Sequence, residues 1–250
     1  MRAMGRLAAA LAFATGAGGA ALAVVKGRDA PELARHAVMV LDDRGGFCTG
    51  VVVAPDVVMT AGHCIAGAKA WRIHFRDAAG APTMLEPSGV ALHPGYNGQA
   101  VQNRRQSIDL ALVRLPAPLP APFAPVALAA SDASGGKLSF AGRTLGVGGY
   151  GLAAEGEPRT GGRFRLAELG VVEPYGPSRI LVWLSDPSSK PGAGACQGDS
   201  GGPVFGDGGE VVAVTVWAEG VGKAKCGGLT QALLVAPQRG WIDSVLAKWR

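Results

Sequence analysis

The sequence lacks the features that define several broad classes of protein. It has no C-x-x-C pair and no H-x-x-x-H spacing, so a zinc site has no support. No basic run interleaved with aromatics occurs, which argues against a nucleic-acid partner. Glycine is abundant at 39 residues but follows no three-residue period, which excludes a collagen-like helix. No repeat of fixed period is present. Charged residues make up only 17% and hydrophobic residues 48%, which excludes a disordered chain and suits a globular one. Histidine is scarce: the four are His36, His63, His74 and His93, and none follows residue 93.

Beyond its first residues the chain holds no stretch that reaches the roughly 20 apolar residues of a membrane span. The start is different. Arg2 and Arg6 precede a small, apolar, glycine-broken run over residues 7–23 that ends Ala21-Leu22-Ala23. A basic start, a short apolar stretch and a small-x-small end form a secretory signal peptide. A membrane anchor is the alternative, and the run is too short and too rich in glycine for it. Removing residues 1–23 takes two charges from a formal net charge of +5, leaving a balance too mild to imply a polyanionic partner. An exported chain, secreted or periplasmic, is expected.

Export bears on the cysteines. Cys48, Cys64, Cys196 and Cys226 are an even set, and an even set in an exported chain implies disulfides. Three pairings are possible. The local one, Cys48 with Cys64 and Cys196 with Cys226, closes two short loops, each worth about 3 kcal/mol through loop-closure entropy.

From Val24 onward the texture is β. Short apolar runs at 37–41, 50–53 and 57–61 are bounded by Asp, Gly and Pro. Residues 71–75 alternate apolar and polar, as a half-buried strand does, and 110–115 form a further apolar run. Five prolines within 116–125 exclude a central strand or helix there and predict an extended connector. More strands are expected at 138–140, 144–147, 163–172, 180–184, 204–205, 211–217 and 230–235. Strands at short spacing with turn signals between them predict a β-barrel or sandwich. After Pro237, Trp241, Val245 and Trp249 recur every fourth residue, which predicts an amphipathic helix over about 237–249.

One stretch carries the chemistry: Gly198-Asp199-Ser200-Gly201-Gly202-Pro203. Glycines allow a sharp turn and a close approach of backbone to ligand. A serine on such a turn is exposed beside converging N–H groups, the requirement for a nucleophile next to an oxyanion hole. Gly198-x-Ser200-x-Gly202 also fits the nucleophile elbow of α/β-hydrolases. There the histidine follows the serine, and here none does. Of the four histidines, His63 lies in Thr60-Ala61-Gly62-His63-Cys64, at a strand end beside a cysteine that holds its backbone. The others read as structural or solvent-facing. Asp109 heads the apolar run Leu110-Ala111-Leu112, where a carboxylate enters the interior edge and needs a partner. An imidazole N–H is a suitable one, and it fixes the tautomer of a general base.

These segments, with Phe47-Cys48-Thr49-Gly50 and Cys196-Gln197 ahead of Gly198, closely resemble the trypsin/chymotrypsin family of serine endopeptidases. They stand in the family's order of histidine, aspartate, serine, and the resemblance covers the whole chain from Val24. It implies two antiparallel six-stranded β-barrels and a C-terminal helix. Barrel one would span about 24–115, the linker 116–125 and barrel two about 126–235. It implies Ser200 as nucleophile, His63 as general base and Asp109 as its orienter. The N–H groups of Gly198 and Ser200 would form the oxyanion hole. Cys48–Cys64 and Cys196–Cys226 match two family disulfides. No cofactor or metal is required, and the partner is a polypeptide substrate met by a monomer. An inactive homologue that only binds is the alternative.

The resemblance also implies a role for Asp199. The family pairs this acid with an α-amino group freed by proteolysis. Val24-Val25-Lys26-Gly27 is similar to the family's mature start and directly follows Ala23, so cleavage of the signal peptide itself would expose the Val24 amine. For specificity, the position six before the nucleophile is Gly194, followed by Ala195, where trypsin-like members carry Asp. Ala218 follows Trp217, and Gly227 or Gly228 is expected on the opposite wall. Such a lining favours small to medium apolar side chains and disfavours Arg or Lys, whose charge would lie unpaired. Lys223 and Lys225 lie near the rim, and exposed lysines usually serve solvation.

Two departures stand out. Val216 occupies the place of a serine that usually hydrogen-bonds the catalytic aspartate, which predicts a less firmly held Asp109 and modest activity. Two cysteines usual in the second barrel are missing around 163–184.

Overall fold

The computed structural model describes residues 24–250, except 104, 131–139, 177, 187 and 189–191. The expected signal peptide and most of the strand expected at 138–140 lie outside the described residues. Two antiparallel sheets follow one another along the chain. The first is built from β2 (Ala37–Asp42), β3 (Phe47–Ala54), β4 (Val57–Thr60), β5 (Trp71–Arg76), β6 (Pro82–Leu85), β7 (Gly89–Leu92) and β8 (Ala111–Arg114). A two-residue β1 (Arg28–Asp29) precedes them and joins the second sheet. The second sheet contains β9 (Thr144–Gly149), β10 (Arg165–Val172), β11 (Leu181–Ser185), β12 (Pro203–Phe205), β13 (Val211–Gly220) and β14 (Gly227–Leu234).

The second sheet closes, because β9 pairs with both β10 and β12, and six strands form a barrel. The first runs β6-β5-β2-β3-β4-β8-β7 and stays open as a half-barrel. Its edge strands are consecutive in sequence but unpaired with each other. Pro82 in one edge and Pro87 in the connection have no N–H to donate. These short edges show a half-buried alternation with no strong apolar run, so the sequence pattern does not reveal them.

Each sheet turns its apolar alternate positions inward. Val38, Val52, Val58, Ile73 and Val113 fill one core, and Val147, Leu169, Leu184, Val204 and Leu234 fill another. A third cluster joins the lobes: Met59 and Leu112 from the first share it with Leu166, Val214 and Leu233 from the second. Fully burying a Val, Leu or Ile side chain contributes about 1.5–3 kcal/mol, so this shared cluster holds the lobes together. The proline-rich connector is neither helix nor strand and lies along the first lobe. There the N–H groups of Leu119, Ala124 and Val126 donate to Pro55, Arg35 and Val52 carbonyls. A four-residue helix, α1 (Ala100–Asn103), lies in the loop before Asp109.

The C-terminal helix, α2 (Arg239–Trp249), starts after a 3-10 turn at Ala236–Gln238, two residues later than the proline suggested. Ile242 and Val245 bury its inner face. Trp241 packs edge-on against His93 at 4.7 Å between ring centroids, tying the end of the chain to the first lobe. Among the described residues no helix is long and apolar enough to cross a membrane.

Candidate active site

The 3-10 turn Gly62–Cys64 follows β4 and carries His63 out of the sheet. Cys64 anchors that turn through a disulfide to Cys48 of β3. Asp109 stands just ahead of β8, the neighbour of β4. Its Oδ2 lies 2.8 Å from His63 Nδ1, and its Oδ1 accepts the backbone N–H of His63 at 2.8 Å. A carboxylate acceptor leaves Nδ1 as the donor, so Nε2 carries the lone pair on the opposite edge of the ring. Asp109 therefore holds both the ring and the turn, even with Val216 in place of a hydroxyl residue. Space at this turn is tight: a Cβ on Gly62 would lie 2.9 Å from the Tyr96 ring and 3.1 Å from Asp109 Oδ1. Burial, and next the charge of Asp109, push the Tyr96 phenol upward.

Ser200 comes from the second lobe. His63 and Ser200 line one cleft of about 260 Å³ with Trp217, Ala218 and Lys225. They are not hydrogen-bonded to each other. The turn bearing Ser200 is pinned to the first lobe by Thr49 of β3. Thr49 N–H donates to the Ser200 carbonyl and its Oγ1 donates to the Gly198 carbonyl, both at 2.8 Å. The N–H groups of Gly198 and Ser200 have no partner among the described residues, so both are available to a ligand oxygen. Gly198 has φ +94°, and a Cβ there would lie 2.1 Å from Phe47 Cε2. Only glycine fits that position. Thr49 and Phe47 belong to a segment that the resemblance marks, but their grip on the serine turn is a tertiary contact with no local signature. The available hint was a hydroxyl in an apolar strand, which needs a partner when buried.

Asp199 is fully buried. Its Oδ1 accepts Gly151 N–H and its Oδ2 accepts Cys196 N–H, each at 2.8 Å. Burial pushes its carboxyl up to about 7, against the lowering effect of those two donors and the Arg165 charge. Glycine at 149 and 151 makes room for it, since a Cβ at either would lie within 2.5 Å of Oδ1. Val24 is fully buried in the core cluster that also holds Ala195, and its φ is +42°. Val25 bridges Gly194, whose N–H donates to the Val25 carbonyl.

The pocket residues separate into two groups. Trp217 and Ala218 reach the cleft, while Gly194 and Ala195 lie buried behind it. Gly227 lies against Gly194: a Cβ on Gly194 would be 3.2 Å from Gly227 Cα. In the β13–β14 ladder, which has bulges at Thr215/Trp217 and Glu219/Gly220, Ala218 pairs with Thr230 and Gly220 with Gly227. Thr230 Oγ1 accepts Ala195 N–H at 3.0 Å and so braces the segment behind the cleft. Cys196 and Cys226 are joined. Lys225 lies at the mouth of the cleft, and Lys223 does not line it.

The other histidines have structural partners. His36 Nδ1 donates to the Ala124 carbonyl, His74 Nδ1 donates to the Thr83 carbonyl, and His93 accepts Gly95 N–H.

Two β lobes meeting along a cleft that holds a carboxylate-paired histidine and a serine on a glycine turn make this a protein of the serine endopeptidase class. Comparison with known proteins agrees. The Trypsin family profile matches residues 24–242, and the chain belongs to that family. A trypsin of Saccharopolyspora erythraea is 28% identical over 193 residues, covering 73% of this chain and 80% of its own. Brachyurin of Leptuca pugilator is 26% identical over 180 residues, covering 68% and 74%. Among solved structures, mouse neuropsin, at 22% identity, superposes with TM-score 0.69 over 89% of this chain and all of its own. Human heparin binding protein, also at 22%, reaches 0.70 over 90% and 97%. At such identity these two establish the fold. The chain is a serine endopeptidase, a hydrolase of polypeptides.

Proposed function

We propose that the chain is an exported endopeptidase that cleaves peptide bonds through a Ser200–His63–Asp109 triad and an acyl-enzyme. The observation that carries this reading is the 2.8 Å pair between His63 Nδ1 and Asp109 Oδ2, on a histidine that lines one cleft with Ser200. Ser200 Oγ attacks the carbonyl carbon as His63 Nε2 takes its proton. The carbonyl oxygen gains charge and is met by the N–H groups of Gly198 and Ser200. Collapse of that intermediate expels the amine, which takes the proton from His63, and leaves Ser200 acylated. Water then repeats the sequence and frees the acid. Asp109 holds the ring in place and stabilises the imidazolium. Losing one oxyanion donor typically costs about 3–4 kcal/mol in the transition state.

The substrate residue before the cleaved bond would be small to medium and apolar. In support, no carboxylate among the described residues lines the cleft to pair with Arg or Lys: Trp217 and Ala218 form its wall, Gly194 and Ala195 lie buried behind it, and Lys225 stands at its mouth. The chain would act as a monomer outside the cytoplasm once residues 1–23 are removed. The barrels would span about 24–115 and 126–235. The new Val24 amine would pair with Asp199.

A fluorophosphonate activity probe tests the reading. Labelling of the parent that vanishes in Ser200→Ala supports it, and an unlabelled parent means a binding module instead. A peptide library read for cleavage sites tests the pocket, and a preference for Arg would overturn it.

A further inference from the structure

On a face that shares no residue with the active-site cleft, two adjoining depressions form one groove. Both are lined by Met39, His74, Arg76 and Gly162. The first arm, of about 780 Å³, is apolar, with Leu33, Phe75, Pro122, Phe123 and Tyr150 along it. The second arm, of about 740 Å³, is cationic: Arg76, Arg159, Arg163 and Arg165 line it together with His74, and no carboxylate among the described residues does. The first lobe supplies one bank and the 159–165 segment of the second lobe supplies the other.

The charges in the two arms are not equivalent. Asp77, in the apolar arm, accepts the N–H groups of Ala79 and Ala81 at Oδ1. Glu32 is paired with Arg28 at 3.0 Å. In the cationic arm, Arg163 and Arg165 share one carboxylate, Asp29, which does not line the groove. Arg159 has no hydrogen bond or ion pair among the described residues and is exposed. Among the described residues Arg76 donates to the Gly80 carbonyl and has no ion pair. His74 spends Nδ1 on the Thr83 carbonyl, so Nε2 is its remaining polar atom. Arg165 is buried, whereas Arg76, Arg159 and Arg163 bring three exposed guanidinium groups to the arm. Clustered guanidiniums bind carboxylates with directional, charge-assisted hydrogen bonds.

We propose that this groove is a docking site for an extended polypeptide segment in which a cluster of acidic residues adjoins aliphatic or aromatic ones. The cationic arm takes the carboxylates and the apolar arm takes the neighbouring side chains. The apolar arm selects a peptide over a sulfated glycan, which has no apolar groups to bury there. Such a site lets the enzyme hold a protein substrate or regulator by a surface remote from the bond being cut. Linking two weak contacts in this way raises effective affinity without altering the catalytic groups.

The probe is a fluorescein-labelled peptide, Glu-Glu-Asp-Glu-Leu-Phe-Leu, titrated by anisotropy against the protein starting at Val24 with Ser200→Ala to prevent cleavage. Binding is expected to weaken about tenfold in the triple variant Arg76→Ser, Arg159→Ser, Arg163→Ser, and to fall with added salt. It is also expected to weaken when the Leu-Phe-Leu tail becomes Ser-Ser-Ser. In the Ser200 background, the double variant Arg159→Ser, Arg163→Ser keeps its hydrolysis of a small ester, which shows that the fold and active site are intact. The proposal is overturned by no peptide binding. It is equally overturned by affinity that the triple variant leaves unchanged. A third refuting result is binding indifferent to the apolar tail and matched by a heparin-derived oligosaccharide, because the arm then serves a glycan.

Discussion

Replacing Asp199 by asparagine should change how stability responds to pH in a chain that keeps residues ahead of Val24. In that chain position 24 is an amide and brings no cation to the carboxylate. Asp199 titrates at the ordinary value of 3.8 in the unfolded chain and at about 7 in the fold, because burial outweighs its two N–H donors and Arg165. Below 3.8 both states hold the proton and the group contributes nothing to the pH dependence. Between those values the folded state keeps a proton that the unfolded state has lost, so stability falls as pH rises. Above about 7 the penalty is complete. At 1.36 kcal/mol per pH unit the loss is about 4 kcal/mol, a large share of the 5–15 kcal/mol typical of a domain. The assay is urea unfolding from pH 4 to 8, with Ser200→Ala in all chains to suppress self-digestion. The precursor should lose about 4 kcal/mol more across the range than the same chain with Asp199→Asn. If the Val24 amine pairs with Asp199 as proposed, a chain starting at Val24 should lose much less than the precursor. Parallel pH profiles for precursor and Asp199→Asn would refute the argument.

Other expectations concern the catalytic turn and its supports. Ser200→Ala should lower kcat about 10⁵–10⁶-fold with little change in melting temperature, as read by peptide hydrolysis and calorimetry. Gly198→Ala places a methyl against Phe47 at a φ that favours glycine. It should destabilise the fold by about 1–3 kcal/mol and lower kcat more than it raises KM. A double Cys196→Ser, Cys226→Ser change removes a cross-link with sequence separation 30, which should cost about 3–4 kcal/mol in denaturant unfolding. Thr230→Val removes the acceptor of the buried Ala195 N–H and should destabilise the fold by about 1–3 kcal/mol in denaturant unfolding.

The strong strands were legible because their apolar runs are buried on both faces or alternate cleanly. The runs at 57–61 and 71–75 correspond to β4 and β5 within a residue. His63, Asp109 and Ser200 were legible because each sits at a strand end or glycine turn whose neighbours have a recognisable pattern. What escaped depends on distance in sequence. Thr49 acts on a turn some 150 residues away, and no local rule identifies that contact. The bulges in β13, at Thr215/Trp217 and Glu219/Gly220, have no reliable signature in an apolar strand, so its register with β14 was not legible either. The open edge of the first sheet escaped for a third reason: β6 and β7 bury too little to show an apolar pattern.

The backbone at Val24 has a consequence of its own. Its φ of +42° is a left-handed value at a β-branched residue, where the side chain crowds the backbone. That torsion exists only because a carbonyl carbon precedes the Val24 nitrogen. Hydrolysis of the bond removes the carbon and abolishes the torsion, while the isopropyl group keeps its place in the core. The uncut chain therefore carries a strain of about 1–3 kcal/mol that the cut chain does not. The fold acts as a spring set against a single peptide bond, and a chain extended by one residue ahead of Val24 should melt lower than one that begins there.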